Sequence, residues 1–103
     1  MPKNLFDIAV PERGEFFRKL YETGSLSIEL IVSSDTPGTQ IYDQPHDEAV
    51  FLLEGSATLS IEGNEVRLAA GDYLCIPAHT RHSVLKTEKG TRWLAIHSKE
   101  KLC

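Results

Sequence analysis

The chain is poor in cysteine, in basic residues and in long apolar runs, and each shortage excludes something. Two cysteines in 103 residues are too few for a disulfide-built scaffold. Cys75 lies inside an apolar run and Cys103 ends the chain, so they read more simply as a small buried hydrophobe and a frayed terminal thiol than as a bridge. No apolar run approaches the roughly 18 residues of a membrane-spanning helix. The first segment, "MPKNLFDIAVPERGE", has neither a basic leader region nor an uninterrupted apolar stretch, so no secretory signal is expected and the cytoplasm is the expected compartment. Lys and Arg number 11 against 15 Asp and Glu, a formal charge of −4, which argues against nucleic acid as a partner. The nearest basic cluster, "HTRH" at 79–82 with Lys86 and Lys89, is explained as well by a solvated loop.

What is present fits one globular domain, residues 1–103, with 41% hydrophobic and 25% charged residues. A chain of this length buries roughly two thirds of its unfolded surface and needs no metal or disulfide to fold. A bound metal would therefore serve function. In "VPERGEFFRKLYETG" the pairs Phe16/Phe17 and Leu20/Tyr21 recur four apart between Pro11 and Gly24, which predicts one short helix over about 11–23. From residue 25 to about 98 the period changes to 2. "SLSIELIVSS" places Leu26, Ile28, Leu30 and Val32 on one face, and "AVFLLEG" reads as a central strand covered on both sides. "SATLSIEGNEVRLAA" alternates about a two-residue hairpin signal at Gly63-Asn64, and "HSVLKT" and "TRWLAIHS" supply the last strands around "EKG". Many short strands behind a single helix define an all-β sandwich or barrel. The order Cys75, Trp93, Cys103 does not suit an immunoglobulin sandwich, and a double-sheet jelly roll is the better expectation.

Two stretches carry chemistry. In "YDQPHDEAVFLLEG", residues two apart in an extended chain share a face, so Gln44, His46 and Glu48 would project together, with Val50 and Leu52 continuing inward. An imidazole, a carboxylate and an amide at a barrel mouth are candidate ligands for Fe(II), Mn(II), Ni(II) or Zn(II); a hydrophilic loop entering a core strand accounts for them too. In "GDYLCIPAHTRH", Gly71-Asp72 makes a turn, Pro77 ends a strand, and His82 begins the next strand, where it can return beside Glu48. His79, at the turn, reads as solvated. His97 shares its face with Trp93 and Ala95, either as a hydrogen-bonded interior residue or lining the site, and the first is preferred.

Together the two stretches resemble the motifs of the cupin superfamily. Glu48 and Gly55 keep the interval of its first motif, "FLLEG" looks like its usual ending, and Gly71, Pro77 and His82 reproduce its second. The 15 residues between Gly55 and Gly71 resemble the shortest inter-motif spacing of single-domain microbial cupins. A closer likeness, through "NLF", "IELIVS", "YDQ", "GDYLCIPAHTRH" and "WLAIH", is to a small subgroup of uncharacterised bacterial cupins. The resemblance implies a double-stranded β-helix barrel, often with a divalent metal, and a homodimer, here expected through the N-terminal helix and strand 26–32. It also exposes departures. Tyr42 and Gln44, or Ile41 and Asp43 in the longer spacing, occupy the positions of two ligand histidines. His79 replaces a glycine, and Lys86 an asparagine. Glu48 and His82 are retained, with His46 or Gln44 as substitute ligands and Tyr42 or His97 as candidates for handling protons. Two functions follow: a metal-dependent dioxygenase, isomerase or lyase acting on a small molecule, or a non-catalytic module binding a small ligand at the same mouth.

Overall fold

The computed structural model describes all residues, 1–103. Nine strands follow one another: β1 (Glu15–Glu22), β2 (Leu26–Ser33), β3 (Ile41–Tyr42), β4 (Asp47–Glu54), β5 (Ser56–Ile61), β6 (Asn64–Ala69), β7 (Tyr73–Ile76), β8 (His82–Thr87) and β9 (Thr91–Ser98). They form a five-stranded sheet ordered β1-β2-β9-β4-β7 and a four-stranded sheet ordered β3-β8-β5-β6, with every pairing antiparallel. This is the expected all-β double-sheet barrel.

The core lies between the sheets. Val50 and Leu52 of β4, Ala57 and Leu59 of β5, Leu68 of β6, and Trp93 and Ala95 of β9 form one buried cluster with Ile31. Period-2 alternation points these residues inward. Trp93 keeps its indole N–H satisfied by donating to Ser33 Oγ at 3.0 Å. At the far end of β4, Gly55 has φ +89°, and a Cβ there would stand 2.8 Å from the Thr91 Cα, so only glycine lets the two backbone segments cross.

Four expectations need correction. Residues 11–23 are not helical: Glu15–Glu22 is an edge strand, and the one helical element is a single 3-10 turn at Leu5–Asp7, capped by the Asn4 side chain. Apolar pairs four apart suit a strand as well as a helix, and pairing with β2 decides for the strand. Ile31 enters the barrel opposite Trp93, whereas Leu30 and Val32, both at 0% exposure, face outward. The N-terminal segment covers that outer face, held by Arg92, opposite Val32, whose two terminal nitrogens donate to Leu5 O at 3.0 Å and Ile8 O at 2.7 Å. Because β2 is flanked by β1 and β9, it offers no free edge for pairing with another chain; that edge belongs to β1. The hairpin signal is shifted by one: Glu62 and Gly63 take the positive φ values of 50° and 79°, and Asn64 pairs with Ile61.

Finally, the cysteines are joined. Cys75 points out of the barrel from β7 and Cys103 folds back to it, with a Cα–Cα distance of 5.7 Å in a Cys75–Cys103 disulfide. Leu74 and Ile76 take the inward positions instead. No helix is long and apolar enough to cross a membrane.

Candidate functional site

Along β4 the inward residues run Glu48, Val50, Leu52, and along β9 they run His97, Ala95, Trp93. Both series pass from polar to apolar, so the polar ends meet at one mouth of the barrel. There they line a cavity of about 90 Å³ with Glu15, Glu29, Tyr42, Gln44 and His82, above an apolar floor that includes Ile31, Leu59 and Trp93. The walls carry three carboxylates and two imidazoles and no Lys or Arg.

Glu48 stands at the centre. His82 Nε2 lies 3.5 Å from its Oε1, and His97 Nε2 lies 4.0 Å from its Oε2 and 3.6 Å from Glu29 Oε1. The far nitrogen of each ring is occupied: His82 Nδ1 donates to Thr80 O at 2.8 Å, and His97 Nδ1 is 2.9 Å from His46 Nε2. Both rings are thereby turned with Nε2 toward the carboxylates.

These placements set the charges. Burial opposes a proton on His82, but the Glu48 carboxylate and the Thr80 carbonyl outweigh it and raise the pKa above 6.5. Glu29 raises that of His97 in the same direction, against burial and with help from Glu48. His46 goes the other way, lowered by burial and then by the charge on His97. Within the bonded pair these opposite shifts favour a proton on His97 over one on His46. Burial, followed by the repulsion of Glu15, Glu48 and Glu29, raises Tyr42 and keeps its phenol protonated. Glu15 is raised by burial despite accepting a hydrogen bond from Ser33 Oγ.

The structure brings together Tyr42, Gln44, Glu48, His82 and His97 from the sequence-derived candidates. Tyr42 stacks on His82 with ring centroids 5.5 Å apart. His46 does not project beside Glu48, because a bend at 45–46 precedes the strand, which begins only at Asp47. It backs His97 from behind instead. His97 combines the two roles held apart above, being both hydrogen-bonded and on the cavity wall. His79 is exposed as expected; its φ of +62° supplies the left-handed conformation for which glycine is the usual residue. Glu15 and Glu29 escaped the sequence reading. Glu29 is the one charged residue inside an apolar strand, a signal that could have found it, and Glu15 lies in the segment expected to be helical.

The donor set does not fit the expected metal centre. Tyr42 and Gln44 stand in two of the histidine positions, the remaining donors are spaced as ion pairs, and no three His, Cys, Asp or Glu side chains form a group that could hold an ion.

Comparison with known proteins agrees with the fold. Residues 32–97 match the cupin-domain family, and the chain belongs to it. Its structure superposes with a TM-score of 0.86 on a provisionally assigned mannose-6-phosphate isomerase from Ralstonia eutropha, 38% identical, covering 97% of this chain and 99% of that one. Quercetin 2,3-dioxygenase of Bacillus subtilis is 41% identical over 58 residues, 52% of this chain and 17% of that protein. A 3-hydroxyanthranilate 3,4-dioxygenase of Jannaschia is 29% identical over 80% of this chain and 47% of the relative. The chain thus spans less than half the length of either dioxygenase.

Proposed function

We propose that this cupin is a small-molecule enzyme of the isomerase or lyase type, working by proton transfer at the Glu48 cavity. The observation that carries the reading is the convergence of two imidazole Nε2 atoms on one buried carboxylate. Glu48 serves as the base that removes a proton from carbon next to a carbonyl. Protonated His82 and His97 supply positive charge and N–H donors to the oxygen on which negative charge develops, and return a proton to the neighbouring atom or to the departing group. Tyr42, kept protonated, and Gln44 add hydrogen-bond donors that orient the substrate.

The cavity volume limits what enters. About 90 Å³ is near three waters at roughly 30 Å³ each and far below the roughly 300 Å³ of a typical small-ligand site. Only the reacting end of a substrate fits, and the rest lies across the mouth. With three carboxylates and no Lys or Arg on the walls, a phosphate group stays outside. The near full-length likeness to the provisionally assigned isomerase supports this chemistry above the partial matches to dioxygenases.

The test is exchange of carbon-bound hydrogen with deuterated water in small hydroxycarbonyl compounds, using chelator-treated protein. Exchange lost in Glu48→Gln supports the reading. Activity that disappears with the chelator and returns with Fe, Mn, Ni or Zn overturns it in favour of a metal enzyme. Ligand-dependent thermal stabilisation without turnover would instead leave the non-catalytic binding module, which the substitutions at Tyr42 and Gln44 favour. The homodimer belongs to the same proposal, with its pairing edge moved to β1, where Phe16, Phe17 and Tyr21 are exposed. Sedimentation as a monomer at micromolar concentration would refute it.

A further inference from the structure

The loop that delivers His82 is tied to the end of the chain through one side chain. Asp47, the first residue of β4 and the neighbour of Glu48, faces out of the barrel. Its Oδ1 accepts from Ala78 N at 2.8 Å, and its Oδ2 accepts from Leu102 N at 2.7 Å and Cys103 N at 3.0 Å. These amides hold its carboxyl below the ordinary range, those of Cys103 and Leu102 most strongly. The loop 77–81 is further held by His79 N donating to Gln44 O at 2.6 Å, and Gln44 lines the cavity. One carboxylate therefore joins the tail, the loop before His82, and the strand that bears Glu48.

The tail has little else to hold it. Residues 99–103 form no strand; besides the Asp47 bonds, Lys99 N donates to Ser25 O and Ser98 pairs with Glu100. The covalent tie is Cys75–Cys103, and both residues are exposed, Cys75 on the edge strand β7. An exposed disulfide is open to in-line attack by a thiolate, and exposed bonds are the labile ones.

We propose that the Cys75–Cys103 bond is a thiol-exchange site, and that opening it loosens the 77–81 loop through Asp47. The reaction partner is a dithiol. One of its thiolates attacks a sulfur of the pair to form a mixed disulfide and releases the other cysteine as a thiolate, which takes up a proton. The second thiol of the reagent then displaces the remaining cysteine. The reagent ends as its own disulfide, having given up two electrons and two protons, and Cys75 and Cys103 end as thiols. Without the covalent tie the tail loses its high local concentration at Asp47, and the carboxylate loses two of its three amide donors. The device is independent of the reaction performed in the cavity.

The test is amide hydrogen exchange, read by NMR, on the full chain in glutathione disulfide and in dithiothreitol, with thiols counted by alkylation and mass spectrometry. The expected result is no free thiol in the first buffer and two in the second. Exchange at Leu102 and Cys103 should rise at least tenfold on reduction, and at Ala78 severalfold. Cys103→Ser in oxidising buffer should behave as the reduced protein. Asp47→Ala should expose Ala78 while the disulfide stays intact. Two alkylatable thiols after exposure to glutathione disulfide would overturn the proposal. So would unchanged exchange at 102–103 on reduction, or faster exchange there with Ala78 still protected in both the reduced protein and Asp47→Ala.

Discussion

The two ends of the barrel are built from the same strands and yet obey different rules. At the closed end, Leu52, Leu59, Leu68 and Trp93 interlock, the only polar atom of the tryptophan is satisfied by Ser33, and Gly55 permits a close crossing with Thr91. At the mouth, the same inward positions carry Glu48, Glu29 and His97, and the space between the sheets is left open. Burying ionisable groups is costly unless they are paired. Here each imidazole has a carboxylate at Nε2 and an anchor at Nδ1, which is the arrangement expected where polarity is kept for use rather than for packing. Stability resides in one half of each strand and chemistry in the other.

Substitutions can break this contrast, beginning with the closed end. Leu52→Ala, at a side chain 1% exposed, should lower unfolding free energy by about 3 kcal/mol in a denaturant titration. Glu48→Gln at the mouth should cost only about 1 kcal/mol by the same measurement, yet reduce proton exchange about 100-fold. Equal losses of stability from the two would show that the mouth is structural.

A pH titration sharpens the comparison further. The raised pKa values of His82 and His97 mean that the folded state holds their protons more tightly than the unfolded chain does. Their stabilisation is full below about 6.5 and is lost as pH rises through the raised values. His46, with its lowered pKa, contributes oppositely, its stabilisation being present above 6.5 and lost as pH falls. The denaturation midpoint of the wild type should therefore decline on the alkaline side, and the decline should shrink in Glu48→Gln, whereas Leu52→Ala should leave its shape unchanged. The smallest effect concerns the rim. His79→Gly relieves a positive φ and should stabilise by about 0.5–1 kcal/mol, read as a small rise in melting temperature.

The barrel and the positions of Glu48 and His82 were legible because alternation, turn residues and motif spacing are all local. The errors came where distant segments decide. Phe16, Phe17, Leu20 and Tyr21 read as a helical stripe until β2 is placed alongside them. Which segment covers the shared face of Leu30 and Val32 was not legible, because residues 5–8, gripped by Arg92, are remote in sequence. The pairing of Cys75 with Cys103 depends on a tail that folds back across 28 positions. His97 was placed on the right strand, but its partners come from β2, β4 and the bend before β4.

The strand order also has a bearing on how the protein is made. β9, the last strand in the chain, lies in the middle of the five-stranded sheet, between β2 and β4. Until residue 98 has left the ribosome, β2 and β4 have no common neighbour, and each exposes a free edge with the apolar cluster lacking Trp93 and Ala95. Assembly must wait for the final strand and then occur nearly all at once, a slow, non-local closure during which nascent chains are most exposed to aggregation.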